Sequence, residues 1–256
     1  MKVFPHFFIL VCLSLFSSLA YPYANETATT TWQPEGFKPN YFILGDPNAK
    51  LSLSFKIKLI EKADLYLGYS QLMFWEVAKE SSPFEDVNYN PEIFYRMYEG
   101  DSKKTWADIG IYEHESNGRD MEYSRGWNRF YLLYSLEAFA VDAAKLYISF
   151  KGWVPYDVED TNEDITEYRG LYEINFTLAQ FLGASFDQSD LILRIYSGGN
   201  AGVDPTNGGQ ELTLRLRGEI TKEFLPVLTF QLFNGYGESL LNYNQKETEF
   251  RVGIGF

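Results

Sequence analysis

His114 and Ser116, two residues apart, and Asn128 beyond them are the side chains of this 256-residue sequence whose types and spacing suit hydrolytic chemistry. Residues i and i+2 of a strand project from one face, so a strand from Trp106 to Ser116 brings Tyr112, His114 and Ser116 together. A neutral imidazole nitrogen within hydrogen-bond reach of a hydroxyl takes up its proton and turns serine into a nucleophile. Such a base needs a third group to fix its tautomer. Asn128 opens the alternating set Phe130, Leu132, Tyr134 and Leu136, and a hairpin symmetric about Met121 sets it across from His114. Cross-strand neighbours of that kind have Cβ atoms about 4.5 to 5.5 Å apart. The amide oxygen of Asn128 can then accept the proton of the other imidazole nitrogen, giving a Ser/His/Asn arrangement. On these residues alone a second reading stands beside it, a satisfied polar pair at the rim of a barrel.

The rest of the composition removes most rival chemistries. Lys2, the apolar run from Phe7 to Leu19 and the ending Ser18-Leu19-Ala20 read as a secretory signal peptide, residues 1–20. It carries away His6 and the single cysteine, Cys12, and leaves His114 as the sole histidine. Disulfide frameworks, cysteine zinc sites, multi-histidine metal centres and cysteine nucleophiles are excluded together. A net charge of −13 speaks against nucleic acid, which needs a basic surface, and favours cations. The 21 Phe, 19 Tyr and 5 Trp are more aromatic surface than one soluble core hides.

The elements that position these residues have a period of two. Leu51, Leu53, Phe55, Ile57 and Leu59 alternate with Ser52, Ser54, Lys56 and Lys58. Similar segments recur at 41–44, 65–75, 92–98, 106–116, 128–136, 146–154, 168–178, 191–196, 212–217, 225–233 and 249–256. That makes about twelve strands, near the roughly 9 to 11 residues that cross a bilayer at a tilt. Beyond the leader no apolar run approaches the roughly 20 residues of a membrane-spanning helix. After the first hairpin, long connections alternate with short turns, and the last segment ends Phe250, Val252, Ile254, Phe256. The expectation is an all-β, twelve-stranded antiparallel transmembrane β-barrel over 41–256, preceded by a periplasmic segment, 21–40. A soluble β-sandwich or lipocalin-like barrel also alternates, but bulky apolar groups over so many strands suit lipid outside and a polar lumen better.

The run His114-Glu115-Ser116-Asn117-Gly118-Arg119 followed by Ser124-Arg125-Gly126-Trp127-Asn128-Arg129 resembles the signature of the bacterial outer-membrane phospholipase A family. Ser81-Ser82-Pro83-Phe84 with Asn88-Tyr89-Asn90-Pro91 resembles that family's second outer loop. Gly235-Tyr236-Gly237-Glu238-Ser239-Leu240 with Asn242-Tyr243-Asn244 resembles its last, and Lys38-Pro39-Asn40-Tyr41 its entry to the first strand. The resemblance implies an active site facing outward into lipid, with Ser116 as nucleophile, His114 as general base and then acid, and Asn128 orienting it. It implies dependence on Ca2+, with ligands at the backbone carbonyl of Arg119, the side chain of Ser124 and, from a second subunit, Ser81. Backbone amides near Ser116 and Gly118 would stabilise the oxyanion. It further implies a homodimer as the active state, with Gln71 at the contact, and membrane phospholipids as substrate. Gly126 stands where some members carry a serine. In lipid surroundings an ionised Asp in place of Asn128 would be costly to bury.

Gln71 shares its face with Leu65, Leu67, Tyr69, Met73 and Trp75, and an amide among lipid-facing groups must find a partner, either a subunit or, near the rim, headgroups. The acidic stretch Asp157 to Asp164 has oxygen ligands that could collect calcium, but reads rather as a solvated outer loop facing cations, and Gly198, Gly199, Gly202, Gly208 and Gly209 read as loop flexibility. The expected function is a calcium-dependent outer-membrane phospholipase A1/A2. Its rivals are a passive pore or structural barrel, and an esterase of the lipid A deacylase type.

Overall fold

The computed structural model describes residues 33–99, 105–183, 186–218 and 226–256. The leader read at 1–20 and most of the segment 21–40 lie outside the described residues. The strands are β1 (Glu35–Gly36), β2 (Tyr41–Gly45), β3 (Ala49–Ile60), β4 (Ala63–Trp75), β5 (Phe84–Glu99), β6 (Thr105–Ser116) and β7 (Gly126–Val141). They continue as β8 (Ala144–Tyr156), β9 (Tyr172–Ala179), β10 (Phe186–Gly198), β11 (Asp204–Gly218), β12 (Val227–Gly235) and β13 (Glu247–Gly255). From β2 to β13 each strand is antiparallel to the next, and β2 also pairs with β13, from Arg251 opposite Gly45 to Gly255 opposite Tyr41. The sheet therefore closes into the expected twelve-stranded barrel, and closure leaves no row of unpaired edge groups. The two-residue β1 adds only a clasp, with Glu35 opposite Lys56.

The period of two divides the wall into two environments. Phe55, Tyr95, Ile109, Leu132, Tyr134, Phe150, Leu212, Leu232, Phe250 and Val252 stand exposed on the outside. Lys50, Ser54, Glu92, Glu113, Arg129, Lys151, Thr213, Gln231 and Arg251 are buried inside. This polarity is the reverse of a lipocalin-like soluble barrel, and it sets aside that alternative. Charges taken from water need partners, and the lumen supplies them. Lys50 Nζ meets Glu211 at 2.7 Å and Glu238 at 3.0 Å, and Arg251 reaches Glu238 at 2.7 Å. Glu113 holds Lys151 at 2.8 Å and Arg129 at 3.2 Å, while Arg194 holds Glu173 at 2.7 Å.

Connections at one end are long: 76–83, 117–125, 157–171 and 236–246. At the other end β3–β4 and β7–β8 turn in two residues, and the Phe256 N–H donates to the Asn40 carbonyl at 2.9 Å. Just inside that end, Phe37 stacks on Phe94 at 5.4 Å and Lys38 Nζ meets Glu92 at 2.9 Å, so the described part of the segment before β2 reaches into the barrel. Toward the long connections Trp127, Trp153, Ile165, Leu240 and Tyr243 form an aromatic and aliphatic plug. Between the two lies an interior cavity of about 620 Å³ whose lining includes these ion pairs.

Several expected strand boundaries need correction. β5 starts at Phe84 and not at Glu92, so residues 88–91, read as part of an outer loop, lie in a strand, and β11 starts at Asp204 and not at Leu212. The segment expected to begin a strand at Tyr168 instead makes a helical turn, Thr166–Arg169, and β9 starts at Tyr172. The turn buries Ile165 and Arg169, whose Nη1 donates to the Gly237 carbonyl at 2.8 Å, and Gly170 at φ 62° ends it. The strand expected from Leu225 begins at Val227, and Leu225 itself is outside the described residues.

Arg251 is 1% exposed and holds Glu238 and the Asn48 side chain. Arg251→Met leaves Glu238 with Lys50 alone, and the expected loss is about 3 kcal/mol of stability, read from urea unfolding in detergent micelles by tryptophan fluorescence.

Candidate active site

The alternation of β6 is broken once, and the break decides which way the chemistry faces. Against β7 the register runs Gly110 opposite Tyr131 and then Glu113 opposite Arg129, so β6 carries one extra residue. The same shift appears against β5, between Gly110 opposite Phe94 and Tyr112 opposite Ile93. Ile111 and Tyr112 are consecutive and both exposed, as a β-bulge allows. Asp108 and Gly110 are buried below the bulge, and Glu113 and Glu115 above it. An unbroken strand continuing from Asp108 would turn His114 into the lumen; the bulge turns His114 and Ser116 outward.

The hairpin then delivers the expected pair. His114 stands opposite Asn128, and His114 Nδ1 is 2.9 Å from Asn128 Oδ1. Around the pair the outer wall is apolar and aromatic. The Tyr112 ring lies parallel to the imidazole, with centroids 6.3 Å apart, and Phe130 stacks on Tyr156 at 4.4 Å. Behind it, Asn90 Nδ2 donates to the His114 carbonyl at 2.8 Å, fixing the strand that carries the ring.

Ser116 ends β6 beside His114, on the same face. Among the described residues its hydroxyl makes no hydrogen bond, to His114 or to any other group. The chain after it is rigid. Asn117 is buried, its amide oxygen accepts from the backbone N–H of Arg125 at 3.0 Å and of Arg119 at 3.3 Å, and its Nδ2 donates to the Tyr123 carbonyl at 2.9 Å. Gly118 lies at φ 62°, where L side chains are disfavoured, and a Cβ there would meet the Tyr89 ring at 3.2 Å. Among the described residues nothing accepts the Gly118 N–H. An unspent backbone donor two residues past a serine, in this conformation, is what an oxyanion site requires.

The stretch 157–164, read as a solvated loop, has its acidic side chains exposed as expected, and it is also bonded to the site. Asn128 Nδ2 donates to Asp157 Oδ2 at 3.1 Å and to the Asp157 carbonyl at 3.3 Å. Ser124 Oγ donates to Glu159 Oε2 at 2.6 Å, and Thr161 Oγ1 donates to the Ser124 carbonyl at 2.6 Å. The buried Asn162 accepts from the Gly126 N–H at 2.9 Å, and the Glu159 N–H donates to the Gly126 carbonyl at 3.0 Å. Gly126 leaves the space: a Cβ there would stand 3.0 Å from Glu159 Oε1. Tyr243 donates to Asp164 from the neighbouring connection, and burial, then that bond, hold its phenol protonated well above the usual range. The Asp-rich stretch signalled oxygen acceptors in the sequence; it gave no sign of their targets.

The remaining expected site residues are placed separately. Gln71 points outward from β4, and Tyr69 Oη donates to its Oε1 at 2.9 Å, so within one chain the amide oxygen already has a partner. Ser81 occupies the β4–β5 connection at φ 66°, and among the described residues it forms no bond to Arg119 or Ser124. The Arg119 side chain donates to the Glu85 carbonyl and lies 3.6 Å from Asp86, tying the 117–125 connection to the start of β5. Among the described residues no group of three or more His, Cys, Asp or Glu side chains is placed to hold a metal. The candidate donors at 119 and 124 are a carbonyl and a hydroxyl, with the Glu159 carboxylate against the hydroxyl, and such an oxygen set suits a hard cation such as calcium. The glycines read as flexibility are packed instead: a Cβ at Gly198 would meet the Asn207 carbonyl at 2.3 Å, and one at Gly208 the Tyr196 carbonyl at 2.0 Å.

Comparison with known proteins bears on the family and the fold. The family model described as phospholipase A1 matches residues 13–256. Phospholipase A1 of Salmonella typhimurium is 33% identical over 193 residues, which are 73% of this chain and 60% of that protein, so the chain spans less than two thirds of that relative's length. Outer membrane phospholipase A from Escherichia coli superposes with a TM-score of 0.72 at 27% identity, covering 88% of this chain and 98% of that one. The Salmonella typhi outer membrane phospholipase, solved as a dimer with bound calcium, gives a TM-score of 0.72 at 26% identity over 91% of this chain and 94% of that one.

Gly118→Ala adds strain of about 1–2 kcal/mol at the positive φ, on top of the contact with Tyr89. The expected outcome is at least about a tenfold fall in ester hydrolysis, with heat-modifiable gel mobility of the folded barrel unchanged.

Proposed function

The chain belongs to the phospholipase A1 family, and from that premise we propose that it is an outer-membrane phospholipase that hydrolyses acyl esters of glycerophospholipids at Ser116, His114 and Asn128. The observation that carries this reading is the 2.9 Å contact between His114 Nδ1 and Asn128 Oδ1 on the apolar outer wall, beside Ser116. An ester carried by a lipid reaches such a wall from the side, without entering the lumen.

In the proposed reaction His114 Nε2 takes the proton of Ser116 as Oγ attacks the ester carbonyl. The tetrahedral oxyanion is met by the backbone amides of Ser116 and Gly118. His114 then gives its proton to the departing glyceryl oxygen, leaving an acyl group on Ser116. Water, deprotonated by the same imidazole, releases the fatty acid and restores the hydroxyl. The imidazole stays in the working tautomer because Asn128 Oδ1 accepts from Nδ1–H. Ser116 has no bond to His114 here, and catalytic hydrogen bonds of this kind tighten when substrate is bound.

Calcium, held by the Arg119 carbonyl, the Ser124 hydroxyl and Ser81 of the partner subunit, would supply positive charge near the developing oxyanion. The active state is then a homodimer with Gln71 at its contact, and control comes from association. Residues 1–20 serve as the export leader, 21–40 as a segment on the short-turn side and 41–256 as the barrel. A passive pore is disfavoured by a lumen crossed by ion pairs and capped by the plug around Trp127 and Trp153.

Mixed-micelle hydrolysis tests the reading. Ser116→Ala is expected to lower turnover at least about 1,000-fold with folding intact, and chelation to abolish it reversibly. Full turnover by the alanine variant would reject the assignment, and release of fatty acid from lipid A but not from phosphatidylethanolamine would move it to the lipid A deacylase class. Ser124→Ala is expected to raise the half-saturating calcium concentration about tenfold or more, with little effect on barrel stability.

A further inference from the structure

We propose that Asp157 is a positioning residue of this site: it accepts from Asn128 Nδ2, turns the amide oxygen toward His114, and so selects the imidazole tautomer that serves Ser116. The inference rests on the ester-hydrolase reading above and adds to it a residue that does not touch the ring.

An asparagine amide has an accepting end and a donating end, and the two are of nearly equal shape. Rotated by half a turn, Asn128 would aim its NH2 at Nδ1. That nitrogen accepts only when bare, so the proton would move to Nε2, and an Nε2–H cannot take the serine proton. Whatever meets the far end of the amide therefore decides which tautomer the near end favours. Here the far end meets two acceptors and no donor, Asp157 Oδ2 at 3.1 Å and the Asp157 carbonyl at 3.3 Å. The reversed amide would press its oxygen against both. Asn128 is 6% exposed, so water is poorly placed to soften that choice.

The backbone is arranged to put Asp157 there. Tyr156 is the cross-strand partner of Asn128, and Asp157 follows it at φ 48°, a left-handed conformation that Asp tolerates better than most residues. The bonds from Glu159 and Asn162 to Gly126 then hold the connection against the start of β7.

The test uses the full chain with His6→Gln, so that His114 is the only imidazole, labelled with 15N-histidine in detergent micelles. Asp157→Ala is expected to lower kcat at least tenfold with KM within about twofold, and to shift the His114 nitrogen resonances toward the Nε2–H tautomer. Asp157→Asn, whose side-chain oxygen accepts the same bond, restores the original tautomer and most of kcat. An alanine variant with wild-type kcat or an unshifted tautomer overturns the proposal, since a residue that only filled the turn would leave the imidazole as it was. A second comparison does not need the alanine variant to fold. Asn128→Asp places two carboxylates in contact, and adding Asp157→Asn is expected to raise its turnover at least fivefold; no gain overturns the proposal. Ser116→Ala, assayed alongside, separates the failures: if it is active the hydrolase reading falls, and if it is inactive while Asp157→Ala matches the parent, only the positioning role falls.

Discussion

A polar side chain on an apolar outer wall has to find its hydrogen-bond partners within the protein, because hydrocarbon offers none. His114 and Asn128 meet that constraint by satisfying each other across β6 and β7, and Asp157 satisfies what is left of the amide. Among the described residues, His114 Nε2, the Ser116 hydroxyl and the Gly118 N–H are the groups that stay unspent there. The candidate site can thus be described as a patch where all polar capacity is consumed except the part that an incoming ester would use.

The lumen follows the opposite regime. There charge is abundant and paired, from Lys50 with Glu211 and Glu238 to Glu113 with Lys151 and Arg129. β6 passes through both regimes, with Glu113 and Glu115 inside and His114 and Ser116 outside. The bulge at Ile111 and Tyr112 is the device that assigns each half of the strand to its side. Without it the histidine would join the ion pairs and lose access to anything dissolved in lipid.

Much of this was legible from residue order alone, for a physical reason. A period of two is a local property, so Leu51 to Leu59 announced a strand and Met121 announced the centre of a hairpin whose arithmetic placed His114 opposite Asn128. What local order could not convey was contact across 29 residues, as between Asn128 and Asp157, since an acidic stretch looks the same whether it is hydrated or bonded. The same limit hid the helical turn at Thr166–Arg169, where burial of Ile165 and Arg169 outweighed the alternation that had suggested a strand from Tyr168. It also hid the crowding at Gly198 and Gly208, because a glycine that gives way to a neighbour and one that merely bends are written alike.

Asn128 belongs to one hairpin, and the carboxylate that orients it belongs to the connection leaving the next strand. A sheet assembled only as far as β7 would hold Ser116, His114 and Asn128 but not the carboxylate that meets the far end of the amide. The polar set around the imidazole is thus complete only once the following strand and the connection leaving it are in place.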